Sequence, residues 1–237
     1  MKTKIIVTIV VLLIILGILS FAVYGCSLDE LNITGCTYYT EEEFANLIKD
    51  TRLPGNTIYQ YLHIRSEKEE NIPFIEEMEV TLVSLHKINV NVYEKKIIGC
   101  IPYMGEYICF DKDGIMVGSV SELPDEAPLV TGIDYSKMVY NEEVEASQKD
   151  VFECLLNVTQ LLDKNSIKAD RVNVGKDRDI DVYVGDIIVK LGKKDQYDEP
   201  VSALSSILKE TEGLKGTLDM EKYSSENNNV IFVKNEK

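Results

Sequence analysis

IPFIEEMEVTLVSLHKINVNVYE, residues 72–94, decides how this chain folds. Met78, Val80, Leu82 and Ser84 recur on one face of a run from Ile75 to Leu85, and Ile88, Val90 and Val92 alternate just beyond a turn at His86 and Lys87. Period-two alternation in two neighbouring runs predicts an antiparallel strand pair with one buried face. Upstream, Thr40-Glu41-Glu42-Glu43 is a capping box, in which the Thr hydroxyl accepts from the third helical N–H and the third Glu reaches back. A helix follows with Phe44, Leu47 and Ile48 on its apolar face, stopped by Leu53-Pro54-Gly55-Asn56. A second helix is expected from Thr57 to about Glu70, with Ile58, Tyr61, Leu62 and Arg65 stacking at helical spacing, and Pro73 ends it. Leu28 to Ile33 reads as a short strand before all of these. The order strand, helix, helix, strand, strand is that of a small α+β domain.

Still further upstream, Ile5 to Tyr24 reads IIVTIVVLLIILGILSFAVY without a charge. A helix of that length rises roughly 30 Å, the thickness of a bilayer core, so the run predicts a transmembrane helix. Lys2 and Lys4 before it and Asp29 and Glu30 after it place a four-residue tail in the cytoplasm and the rest outside. A cleaved signal needs a shorter apolar core and a small-x-small site, for which Ser20-Phe21-Ala22 is poor. Val23-Tyr24-Gly25-Cys26 resembles a lipobox, and lipidation of Cys26 is the sharper rival.

Composition narrows the partners. The 237 residues carry 25 basic and 40 acidic side chains, and without Lys2 and Lys4 the formal charge is -17. Such a surface repels nucleic acid. Five cysteines, Cys26, Cys36, Cys100, Cys109 and Cys154, lack paired metal-type spacing. Cys100 and Cys109 face each other across an expected hairpin, which leaves two readings: a disulfide in an oxidising compartment, or buried thiols acting as small apolar residues.

Downstream, strands are expected at Ile97–Ile101, Glu106–Phe110 and Ile115–Val120, with Asp111-Lys112-Asp113-Gly114 as a hairpin turn and not a calcium loop. Val151, Cys154, Leu155, Val158, Leu161 and Leu162 form the apolar face of a helix from Ser147 to Lys164. Strands at Arg171–Gly175, Asp179–Val184 and Ile187–Leu191 follow, then a helix starting near Glu199-Pro200 that buries Val201, Leu204, Ile207 and Leu208. The described pattern closes with Thr217–Met220, a loop through Ser224 to Asn229, and Val230–Val233.

Taken with the N-terminal run, LDELNITGCTYYTEEEFANLI, NTIYQY and IPFIEEMEVTLVSLHKINVNVYEKKIIGCI resemble the POTRA domain of the FtsQ/DivIB family of bacterial cell-division proteins. ICFDKDG and LPDEAPLVTG, with Leu123, Pro124, Leu129, Val130 and Gly132, resemble the hairpin and Leu-Pro segment of that family's β domain. Cys36 stands where Asn is usual after Gly35. The resemblance implies an α+β protein: a tail at 1–4, a transmembrane helix at 5–24, a POTRA-like β-α-α-β-β domain at 27–95, and a mixed β-sheet domain with two helices at 96–237. It also implies a non-enzymatic, single-pass scaffold of the cell membrane. In that family the terminal strands receive a segment of FtsB/DivIC and FtsL type partners, which carries over to Leu218, Met220, Tyr223, Val230 and Phe232.

Chemistry is sparse elsewhere. His63 and His86 are the only histidines, and no nucleophile elbow, zinc-protease helix motif or phosphate-binding Gly loop is present. No cofactor, metal, nucleic acid or small-molecule substrate is expected. The alternative from another class is a surface lipoprotein, anchored at Cys26, that binds an extracellular ligand or has an unrecognised hydrolase activity.

Overall fold

The computed structural model describes residues 2–147, 149–175, 177–211, 213–224 and 226–234. The chain divides into two compact units, Met1–Lys95 and Lys96–Lys237. Unit 1 contains α1 (Lys2–Tyr24), β1 (Glu30–Thr34), α2 (Glu41–Ile48), α3 (Thr57–Ser66), a 3-10 turn (Glu69–Asn71), β2 (Ile75–Ser84) and β3 (Lys87–Glu94). Its sheet has the order β1-β3-β2, with β1 parallel and β2 antiparallel to β3.

The expected transmembrane helix at 5–24 is corrected. A helix forms there, and its described apolar side chains, Ile5 to Ile18 and Phe21 among them, are exposed on all sides. Among the described residues, however, no helix is long and apolar enough to cross a membrane. The side chains of Leu19 and of Ala22, Val23 and Tyr24 fall outside the described residues, as does part of the lipobox-like stretch.

In α2 the capping box forms as expected. Thr40 accepts from the Glu43 N–H at 3.2 Å while Glu43 accepts from the Thr40 N–H at 3.0 Å. Phe44 and Ile48 are buried, but Leu47 is exposed, so the apolar stripe is narrower than its spacing suggests. The inward face of α3 also differs: Thr57, Gln60 and Ile64 are buried, while Leu62 and Arg65 are exposed. Gln60 explains the rotation. Its amide donates to the carbonyls of Asp50 at 2.8 Å and Leu53 at 2.9 Å, and its oxygen accepts from the Asp50 N–H at 3.1 Å. One buried amide thereby satisfies the backbone of the α2–α3 loop, which sequence periodicity does not register. The Asp50 carboxylate accepts from Arg52 and Tyr59, and the Arg52 guanidinium holds it well below the usual carboxylate range.

Unit 2 is built on nine strands: β4 (Gly99–Tyr103), β5 (Glu106–Phe110), β6 (Met116–Val120), β7 (Leu129–Thr131), β10 (Arg171–Val174), β11 (Ile180–Val184), β12 (Ile187–Gly192), β13 (Gly216–Asp219) and β14 (Ile231–Lys234). They lie in the order β14-β13-β12-β11-β10-β7-β4-β5-β6. A separate ribbon pairs β8 (Tyr135–Lys137) with β9 (Glu145–Ala146). Helices α4 (Lys149–Lys164) and α5 (Asp198–Glu210) supply Val151, Phe152, Leu155, Val158, Val201 and Leu204 to a core shared with Phe110, Val130, Val172, Val182, Val189 and Leu218 of the sheet. At the β5–β6 hairpin the Asp111 carboxylate accepts from the N–H groups of Asp113 and Ile115, and Gly114 has φ 75°, so this loop is the expected turn. Cys100 and Cys109 stand opposite each other in β4 and β5 and form a disulfide, which selects the first of the two readings.

Gly132 is indispensable to the sheet. It ends β7 at φ 85°, and a Cβ there would fall on the Val174 carbonyl oxygen of the neighbouring strand end. Gly35 meets the Val92 carbonyl in the same way at the end of β1, with φ 89°. Both close approaches occur where a short strand runs parallel to its neighbour. Gly132→Ala is therefore expected to cost about 2–4 kcal/mol, left-handed strain plus a backbone clash. Gly185→Ala has open space and carries only the strain, about 1 kcal/mol. Urea unfolding of the two variants compares them, and equal losses would contradict the clash.

Candidate functional site

β14 forms one edge of the nine-stranded sheet. Its pairing with β13 is antiparallel, with Thr217 opposite Val233, Leu218 opposite Phe232 and Asp219 opposite Ile231. Which backbone groups remain open follows from alternation. The N–H groups of Gly216 and Met220 are directed to β12, reaching the carbonyls of Asp186 at 3.2 Å and Lys190 at 2.9 Å. Thr217 and Asp219 then turn toward β14 and engage Val233 and Ile231, so the backbone groups of Phe232 and Lys234 point away from the sheet. At the opposite edge, β6 is partly covered: Met116 donates to Glu142 and accepts from Asn141, both at 2.9 Å.

The side chains of the edge divide between two faces. Leu218 and Met220, both expected to touch a partner, are buried in the core. Tyr223, Val230 and Phe232 are partly buried and pack against the same core on the helix-covered side. Ile231 and Val233, which the sequence reading passed over, project to the other face at 61% and 56% exposure. Alternation within Val230-Ile231-Phe232-Val233 carries that signal once Phe232 is known to face inward. On this face the register row runs from Val233 through Thr217, Ile188, Tyr183 and Arg171 to Leu129, with the Arg171 guanidinium 3.7 Å over the Tyr183 ring.

The turn leading out of β13 is pinned from β12 and the loop after it. Lys194 Nζ donates to the carbonyls of Glu221 at 2.6 Å and Tyr223 at 3.2 Å. The Lys194 N–H donates to the Tyr197 hydroxyl at 3.1 Å, and that hydroxyl donates to the Gly192 carbonyl at 2.9 Å. Burial lowers the Lys194 ammonium from its ordinary value, opposed by the carboxylates of Glu221 and Asp219. Burial also raises the Tyr197 phenol, which keeps it protonated and able to donate. Farther along, Asn227 donates to the Lys222 carbonyl at 3.0 Å and exchanges backbone bonds with Ser224; Ser225 lies outside the described residues. These contacts set where the chain re-enters as β14.

His63 stacks on Tyr59 with its Nε2 3.4 Å from Glu67, and His86 meets the Ser27 carbonyl at 2.9 Å. Burial, then the carboxylates of Glu94 and Glu41, pushes the Cys36 thiol up to about 11, and burial raises that of Cys154. Cys26 is buried, its thiol 3.9 Å from the Phe21 carbonyl of α1, and its own carbonyl accepts from the Thr57 N–H at 3.0 Å. Among the described residues there is no group of three potential metal ligands.

Two curated relatives match along nearly the whole chain. Each is named Cell division protein DivIB, one from Clostridium botulinum strain Hall (Type A) and one from strain Loch Maree (Type A3). Both are 24% identical over 238 residues, spanning 97% of this chain and 91% of the relative. These relatives support assignment to the FtsQ/DivIB family. No family model matches the chain. The DivIB relatives carry the name of a division protein and not of an enzyme.

If Lys194 sets the approach to β14, Lys194→Met keeps the apolar stem but removes both charge-assisted bonds, each worth about 1.5–3 kcal/mol. Amide exchange at Tyr223, whose N–H bonds the Met220 carbonyl at 3.0 Å, is expected to speed up at least tenfold while Val189 in the sheet centre is unchanged. Unchanged exchange at Tyr223 would show that the lysine does not hold the turn.

Proposed function

We propose that this chain is a membrane-associated, non-enzymatic division protein that binds other division proteins by accepting a strand at β14. The observation that carries the proposal is the open edge: a sheet covered by α4 and α5 on one face that ends in a strand with outward backbone groups at Phe232 and Lys234. Such an edge offers an extended segment main-chain bonds for affinity and alternating side chains for selectivity. Ile231 and Val233 would meet one face of that segment, while Phe232 and Tyr223 support the other from within. In this proposal Leu218 and Met220 act indirectly, by anchoring β13 in the core.

The partners proposed are FtsB/DivIC-like and FtsL-like proteins, in keeping with the family resemblance and the DivIB names of the relatives. Residues 27–95 are proposed as a POTRA-type domain and residues 96–237 as the β domain carrying the partner site. Both are proposed to lie outside the cytoplasm, where a disulfide such as Cys100–Cys109 persists. The role is support of septum formation through binding alone.

Binding of the full chain to the extracytoplasmic parts of a DivIC-like and an FtsL-like protein tests this. Lys234→Pro removes one outward N–H without touching the β13 register, and losing that bond, about 1 kcal/mol, is expected to weaken binding roughly fivefold. Val233→Asp on the exposed face is expected to weaken it further. A wild-type chain that binds neither partner, or variants that bind as wild type does, would refute strand addition at β14.

A further inference from the structure

The end of unit 1 nearest α1 is unusually apolar. Segment 26–30 is stitched between two loops there. The carbonyl of His86 accepts from the N–H groups of Asp29 at 2.9 Å and Glu30 at 3.1 Å, the Leu28 N–H donates to the Gly55 carbonyl at 2.8 Å, and Ser27 bridges to Asn56. The α2–α3 loop and the end of the β2–β3 hairpin carry exposed apolar side chains: Leu53 at 44%, and Leu82 at 37%, Val83 at 50% and Leu85 at 39%. Leu85 occupies a two-residue hairpin turn, where Gly, Asn or Asp would satisfy the backbone better. Val83 sits at a register shift between Leu82 and Ser84, and such bulges re-aim a side chain. Neither residue is used by the core of unit 1.

Folding therefore does not account for these four residues, but position does. The chain passes from α1, whose described apolar side chains are exposed, through Gly25 directly into segment 26–30, so these four residues lie at the end of the unit where the chain leaves that helix. A protein partner would have to match an apolar surface joined to an apolar helix, whereas a lipid surface matches both. We propose that the Leu53, Leu82, Val83 and Leu85 end of unit 1 rests in the interfacial layer of the membrane with which α1 associates. This rests on the membrane-associated reading above. The contact is apolar and not electrostatic, since Asp29 and Glu30 border the patch and the chain carries a formal charge of -15.

The sequence contains no tryptophan, so one introduced residue reports alone. The full chain carrying Leu85→Trp, or Val83→Trp as an independent reporter, is mixed with phosphatidylcholine vesicles whose acyl chains are brominated near the glycerol. Tyr93→Trp serves as the reference, because Tyr93 is 52% exposed and lies about 20 Å along β3 from the turn. Bromine is expected to quench the Leu85→Trp and Val83→Trp emission at least twofold and to leave Tyr93→Trp unquenched. Co-flotation of each variant with the vesicles is read in the same samples. A chain that fails to float overturns the membrane-associated reading and the proposal with it. A chain that floats with both turn reporters unquenched, or with all three quenched alike, overturns the proposal alone.

Discussion

Each strand of a sheet has hydrogen-bonding groups on two sides, and a sheet that does not close must leave its last row without a strand partner. In unit 2 that constraint falls on β14. The core behind it is committed: Leu218 and Met220 are buried, Phe232 packs against the same cluster, and Lys194 ties the intervening turn to the loop after β12. The strand is thus held in place by its inner neighbours while, among the described residues, no strand pairs with its outer backbone. Position comes from packing and valence from the backbone, and a partner strand needs both.

Much of this was legible in the sequence because local chemistry marks it. The capping box at Thr40, the Asp-x-Asp-Gly turn at Asp111 and the alternation of Ile88, Val90 and Val92 all act within a few residues, and each forms in the structure. Features missed depend on distant partners. Strand β7 has three residues and exists because Leu129 lies between Cys100 and Arg171, far apart in the chain. The inward face of α3 is not set by apolar spacing alone, because a polar residue, Gln60, is buried to satisfy a loop.

At the β14 edge the same distinction applies. Five residues of the terminal strands and the loop between them are singled out by family resemblance, which marks positions along the chain without saying which face each side chain takes. Register settles that: with Leu218 opposite Phe232, the outward residues are Ile231 and Val233. At the N-terminus, hydropathy alone predicted a bilayer-spanning helix. A helix forms there, but among the described residues none is long and apolar enough to cross a membrane.

The central claim is that β14 receives a strand, and residue-resolved amide exchange with and without a bound DivIC-like ectodomain tests it most directly. Alternation assigns the outward N–H groups to Phe232 and Lys234, while those of Ile231 and Val233 already face β13. Strand addition predicts new protection at Phe232 and Lys234 and little change at Ile231 and Val233. Binding that protects amides elsewhere and leaves Phe232 and Lys234 exchanging as in the free chain would contradict it.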